Sequence, residues 1–172
     1  MELPLPAGWR TAADLFEWRI QYERSPAIIG AVDIGPHEWA RCLSSDLERA
    51  LVTAKAAFPG PVESTPLLRE VEFAQFKTGP LRLPMPVWRG VFGLAWATGH
   101  RSQRACRDEF RRRVIAVADL LEGVAENTLV VSHGGMMIYL SAELRRRGYP
   151  GPKLKHPRHA TLYCYQKAGG IS

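Results

Sequence analysis

The chain has 172 residues, 46% of them hydrophobic and 23% charged, which is the length of one domain spanning 1–172 and the composition of a globular protein able to bury a core. No apolar run is long enough to span a bilayer, and the N-terminus has neither the charged start nor the apolar centre of a signal peptide, so a cytoplasmic location is expected. A net charge of +6 raises nucleic-acid binding, but much of the arginine lies in Arg111-Arg112-Arg113 and Arg145-Arg146-Arg147, where mid-helix and helix-end positions account for it, and no aromatic-and-basic platform accompanies them.

The opening stretch Met1 to Arg10 is rich in proline and lacks a Val/Ile run, which excludes a buried central strand. A helix from Thr11 to Arg24 follows, with Thr11 as its cap, Asp14 in the first turn and Leu15, Trp18 and Tyr22 on one stripe, before Ser25-Pro26 ends it. A strand from Trp39 to Leu43 feeds a helix from Asp46 to Phe58. Ser45 is the expected N-cap of that helix, with Glu48 at the capping-box spacing and Leu47, Ala50, Leu51, Ala54 and Phe58 on the apolar stripe. Arg49 lies off the stripe in the first turn, where it is either solvated or able to clamp an oxyanion with its two-pronged guanidinium.

Pro59-Gly60-Pro61 closes the helix, and a short strand runs from Val62 to Ser64. From Lys77 to Trp96 the prolines Pro80, Pro84 and Pro86 argue against a long regular element and predict an excursion over the sheet, anchored by Trp88 and Trp96. A helix from Ser102 to Glu122 carries Cys106, Phe110, Val114, Val117 and Leu121 on one face and stops at Gly123. A strand to Ser132, a helix from Gly134 to Arg147 and a last strand from Ala160 to Tyr165 complete an α/β alternation. That pattern predicts a mostly parallel sheet with helices on both faces and a site at the carboxyl ends of the strands. Cys42, Cys106 and Cys164 are widely spaced in apolar contexts and are expected to be buried free thiols.

The run Thr128-Leu129-Val130-Val131-Ser132-His133-Gly134-Gly135-Met136 carries the most chemistry, because it delivers a histidine from a strand end onto a helix N-terminus. The first N–H groups of a helix are unpaired and the dipole is positive there, so an anion is favoured. Gly134 and Gly135 keep the approach clear of Cβ atoms, and His133 stands ready to donate to a phosphoryl oxygen. Ser44-Ser45-Asp46-Leu47 with Arg49-Ala50 and Thr53-Ala54, then Leu68-Arg69-Glu70, then Val130-Val131-Ser132-His133-Gly134-Gly135-Met136 resembles, in order, three blocks of the histidine phosphatase superfamily, the phosphoglycerate-mutase-like proteins.

The resemblance implies phosphomonoester hydrolysis through a phosphohistidine intermediate. In that scheme Arg49, His133 and Gly134 bind the phosphoryl group of a small phosphorylated substrate or inorganic phosphate, and Glu70 is the acid that protonates the leaving group. Cationic side chains replace a metal, and no cofactor is implied. Glu72 is the rival acid if the stretch is extended, and a salt bridge with Arg69 or another arginine is the structural alternative for Glu70. The family's remaining hallmark, an Arg-His motif after the first strand whose histidine is the nucleophile, does not occur upstream of Arg49. The first strand is therefore expected to be missing and the domain N-terminally incomplete.

Other histidines fit the nucleophile's place poorly. His100 precedes a helix, His37 lies in a loop, and His156 and His159 have the spacing of metal ligands but a proline between them and no third ligand. The expected function is that of a histidine phosphatase in the complete gene product, the alternatives being a phosphoester-binding protein without the nucleophile and a mutase-type phosphotransferase. The mutase branch is disfavoured by Val71 to Phe76, which lacks the glycines common after Leu-Arg-Glu in mutases.

Overall fold

The computed structural model describes residues 6–25 and 32–167, so the expectations that fall on Met1 to Leu5, and on the chain just after Ser25, lie outside the described residues. The chain divides into two compact units, Met1–Ile28 with Glu72–Arg111, and Ile29–Val71 with Arg112–Ser172.

In the first unit, β1 (Trp9–Arg10) pairs antiparallel with β4 (Leu83–Pro84), setting Trp9 opposite Pro84 and Arg10 opposite Leu83. Helix α1 (Ala12–Arg24) begins as its sequence predicts: Asp14 N donates to Thr11 Oγ1 and Thr11 N donates to Asp14 Oδ2, a reciprocal cap. The segment read as an irregular excursion contains instead a 14-residue helix, α3 (Met85–Thr98). Its prolines do not oppose it, because Pro84 is the N-cap and Pro86 stands in the first turn, where an N–H has no helical partner and the fixed φ is already helical. The helix stops at Gly99, whose φ of 65° is open to glycine at little cost.

Both tryptophans anchor α3 as expected. Trp88 joins Ala12 and Leu15 in the core, its indole N–H donating to Arg10 O at 2.7 Å, and Trp96 packs edge-on against Phe73 and Phe110. The buried Gln103 side chain is satisfied by the Ala74 backbone, accepting its N–H at 2.9 Å and donating to its carbonyl at 2.8 Å.

The second unit holds a parallel sheet in the order β3-β2-β5, made of β2 (Arg41–Ser45), β3 (Val62–Thr65) and β5 (Thr128–Val131). The central strand β2 is two residues further along the chain than Trp39 to Leu43, because its ladder with β3 runs to Ser45 opposite Thr65. Cys42 packs on α2 (Glu48–Ala57) beside Ala54, Phe58 and Leu129, while Leu43, pointing to the opposite face, is also buried, so β2 is covered on both faces.

A 3-10 turn at Pro66–Leu68 follows β3, and α4 (Arg104–Glu122) and α5 (Gly134–Arg146) are close to their predicted bounds. The chain is thus α/β, with parallel pairing in one sheet and an antiparallel pair elsewhere. The strand expected from Ala160 to Tyr165 does not form. Ala160 takes a φ of 48°, and what holds this stretch is side-chain anchoring, with Leu162 packed against the Cys42 cluster and Tyr165 OH donating to Pro152 O. The three cysteines are free, but only Cys42 is buried; Cys164 is exposed, since alternation along an unpaired stretch does not imply burial.

Candidate functional site

At the carboxyl edge of the parallel sheet, β2 and β5 lie side by side, and each runs straight into a helix. Ser44 pairs in register with Val131, so Ser45 and the Ser132-His133 step leave the sheet at the same level. Here the sequence reading of Ser45 is corrected. The serine does not cap α2; Leu47 occupies the N-cap position with no side-chain hydrogen bond, because the strand continues through Ser45. Ser45 Oγ instead accepts the Leu47 N–H at 3.3 Å and lies 2.9 Å from Nε2 of His133. A strand-end hydroxyl facing a neighbouring strand end is a tertiary relation that the capping-box spacing could not show.

His133 occupies the N-cap position of α5, again without a side-chain cap. That cap is supplied from a distance. Glu70 receives the Met136 N–H on Oε1 and the Gly135 N–H on Oε2, each at 3.1 Å, and its Oε1 also takes the N–H of Val71 at 2.8 Å. The expectation that the first N–H groups of this helix stand open to a ligand anion is therefore corrected for Gly135 and Met136, whose donors already meet a carboxylate. The close approach requires glycine at 135: a Cβ there would overlap the Glu70 carboxylate and lie 2.8 Å from Val71 Cγ1. Gly134, by contrast, faces Pro157, whose Cγ would sit 3.6 Å from an added Cβ.

The turn that presents Glu70 is fastened from three directions. Ser132 Oγ donates to Leu68 O at 2.7 Å, the Arg113 guanidinium donates to the carbonyls of Pro66, Arg69 and Glu70, and Arg69 grips Asp46 with two hydrogen bonds of 2.7 and 2.6 Å. Arg69 thus pairs with Asp46. Those Arg69 bonds hold the Asp46 carboxyl below the usual carboxylate range, and the charge of a protonated His133 acts in the same direction.

Arg49 stands in the first turn of α2, four residues past the end of β2, with its carbonyl taken by Thr53 Oγ1. The topology therefore brings Arg49, Glu70, His133 and Gly134 to one edge of one sheet, and adds Ser45, Asp46, Arg69 and Arg113 to them. Glu72 is exposed and belongs to the other compact unit. Neither Glu70 nor Glu72 is in a strand. His37 and His100 are exposed, as are His156 and His159. The single Arg-His pair of the chain, Arg158-His159, follows Pro157 in irregular structure and no strand precedes it.

A family model described as the Histidine phosphatase superfamily (branch 1) matches residues 31–167. Among solved structures the chain is similar to that of a candidate alpha-ribazole-5′-P phosphatase from Escherichia coli, at 25% sequence identity with a TM-score of 0.44. That match covers 63% of this chain and 58% of the other, so the chain spans less than two thirds of that protein's length. No curated protein matches it.

Proposed function

Since the chain belongs to the histidine phosphatase superfamily, we propose that the carboxyl edge of β2 and β5 binds the phosphoryl group of a small phosphomonoester, with Arg49 supplying positive charge and His133 a hydrogen bond to its oxygens. The observation that carries this reading is the convergence of the family's three motif blocks on one sheet edge, tied together by the contact between Ser45 and His133. The reaction proposed with it is the hydrolysis of that ester: the phosphoryl group passes in line from the substrate oxygen to a histidine nitrogen, the leaving oxygen takes a proton, and water then releases phosphate from the histidine.

Glu70 enters this scheme as the proton donor in its carboxylic acid form, and as a carboxylate it takes a proton back from the attacking water in the second step. Its carboxylate bridges the start of α5, so donation requires it to exchange those N–H contacts for the substrate oxygen. The nucleophilic histidine is not assigned to any residue of the site. That observation favours a second reading, phosphoester binding without turnover, because among the described residues His133 alone of the histidines follows a strand end.

Two measurements decide between these readings. Calorimetric titration with phosphate or vanadate is expected to show binding in the wild type and at least tenfold weaker binding in Arg49→Ala; equal affinity in both would remove the site. An assay with p-nitrophenyl phosphate and with an alkyl phosphate then tests turnover. A hydrolase is expected to lose about 10²- to 10⁴-fold in kcat on Glu70→Gln, more for the alkyl ester, whose leaving oxygen needs the proton. Binding with no turnover of either ester selects the second reading for these 172 residues taken by themselves.

A further inference from the structure

Ser45 has no exposed surface, and its hydroxyl makes two contacts, with Leu47 N–H at 3.3 Å and with Nε2 of His133 at 2.9 Å. A serine oxygen offers one proton and two lone pairs. The Leu47 N–H takes a lone pair, so the hydroxyl proton needs an acceptor, and a buried O–H without one bears the full cost of its lost hydration. Nε2 of His133 is the acceptor within reach. It can accept only when the ring is neutral and carries its proton on Nδ1. The opposite polarity, with Nε2–H donating to Ser45, would aim two donors at one oxygen and leave the serine proton buried with no partner.

We propose that Ser45 is a positioning residue that donates its hydroxyl proton to Nε2 and thereby holds neutral His133 as the Nδ1–H tautomer in a fixed ring orientation. Ser45 has no surface with which to meet a ligand, so it acts through the histidine. The consequence for function rests on the phosphoryl-binding reading above: the ring nitrogen that offers a proton to a phosphoryl oxygen is Nδ1.

The experiment is nitrogen NMR of the imidazole side chains in the whole protein at alkaline pH, where the rings are neutral, with the His133 signals assigned from their loss in His133→Gln. The wild type is expected to show Nδ1 protonated and Nε2 as acceptor. Ser45→Ala is expected to abolish that preference, and Ser45→Thr, which keeps the hydroxyl, to restore it. A wild-type ring protonated at Nε2 overturns the proposal without recourse to any variant, as does a folded Ser45→Ala protein whose tautomer is unchanged. The measurement does not depend on phosphate. The expected tautomer in a protein that fails to bind phosphate upholds this inference and overturns the preceding one.

Discussion

Gly134 and Gly135 are neighbours at the start of α5 with different surroundings, so they should respond differently to the same substitution. Gly134→Ala adds a methyl group in ordinary contact with Pro157 and reduces the freedom of the unfolded chain, so it is expected to be neutral or to stabilise by about 0.4–1 kcal/mol. Gly135→Ala drives a methyl group into Glu70 and Val71, and Glu70 cannot retreat without giving up the N–H bonds that cap the helix; a loss of about 1–3 kcal/mol is expected. Urea unfolding midpoints of the two variants give the comparison, and equal midpoints would mean that the carboxylate is not held at the helix start. The cysteines provide a second contrast at this scale. Burial pushes the Cys42 thiol up to about 11, so it stays protonated, whereas Cys164 is exposed, with its sulfur 3.5 Å from His37 Nε2. Under mildly alkaline native conditions an alkylating reagent is expected to label Cys164 and to reach Cys42 only on unfolding, which peptide mass spectrometry resolves; comparable native rates would contradict the burial.

At the scale of elements, the last turn of α5 shows why a run of like charges can be stable. Arg147 closes the helix with its side chain 12% exposed and meets Glu143 of its own helix and Asp119 and Glu122 of α4, at 2.6 to 2.7 Å. Arg146 adds a two-pronged contact with Glu143. Hydrogen bonds from Arg146, then from Arg147, bring the Glu143 carboxyl from an ordinary 4.5 down to about 2. Because the folded pKa is the lower one, the unfolded chain binds more protons through this interval. The stability contributed by Glu143 is therefore complete above about pH 4.5 and is lost as pH falls through 2. In Glu143→Gln the unfolding midpoint is expected to be flatter across that window than in the wild type, and parallel profiles would show that the cluster is not formed. The prediction of a helix-end arginine cluster was legible in the sequence, since cations complement a helix carboxyl end; the partners on α4 were not, because their spacing across 25 and 28 residues follows from packing alone. Helix α3 makes the complementary point, as proline forbids a helix interior and permits a helix start, and position relative to the first turn decides which applies.

For the molecule as a whole, an anion that binds only the folded chain must stabilise it. If phosphate occupies the sheet edge as proposed, a concentration a hundredfold above its Kd adds about 2.7 kcal/mol of stability, and thermal unfolding should rise with phosphate in the wild type and not in Arg49→Ala. An equal rise in both would point to nonspecific ion binding. The sequence by itself determined the α/β alternation, the Thr11 cap and the placing of His133 between a strand and a helix, because each rests on apolar periodicity, capping chemistry or chain adjacency within a few residues. The three motif blocks were readable in the same way. Only the tertiary structure decided that Ser45 meets His133 across 88 residues of chain, that Glu70 caps α5 from 65 and 66 residues away, that Arg69 is paired with Asp46, and that the segment after Ala160 stays out of a ladder. A side chain's hydrogen-bond partner is set by which elements pack together, and that depends on the burial of the whole chain, which no local pattern contains.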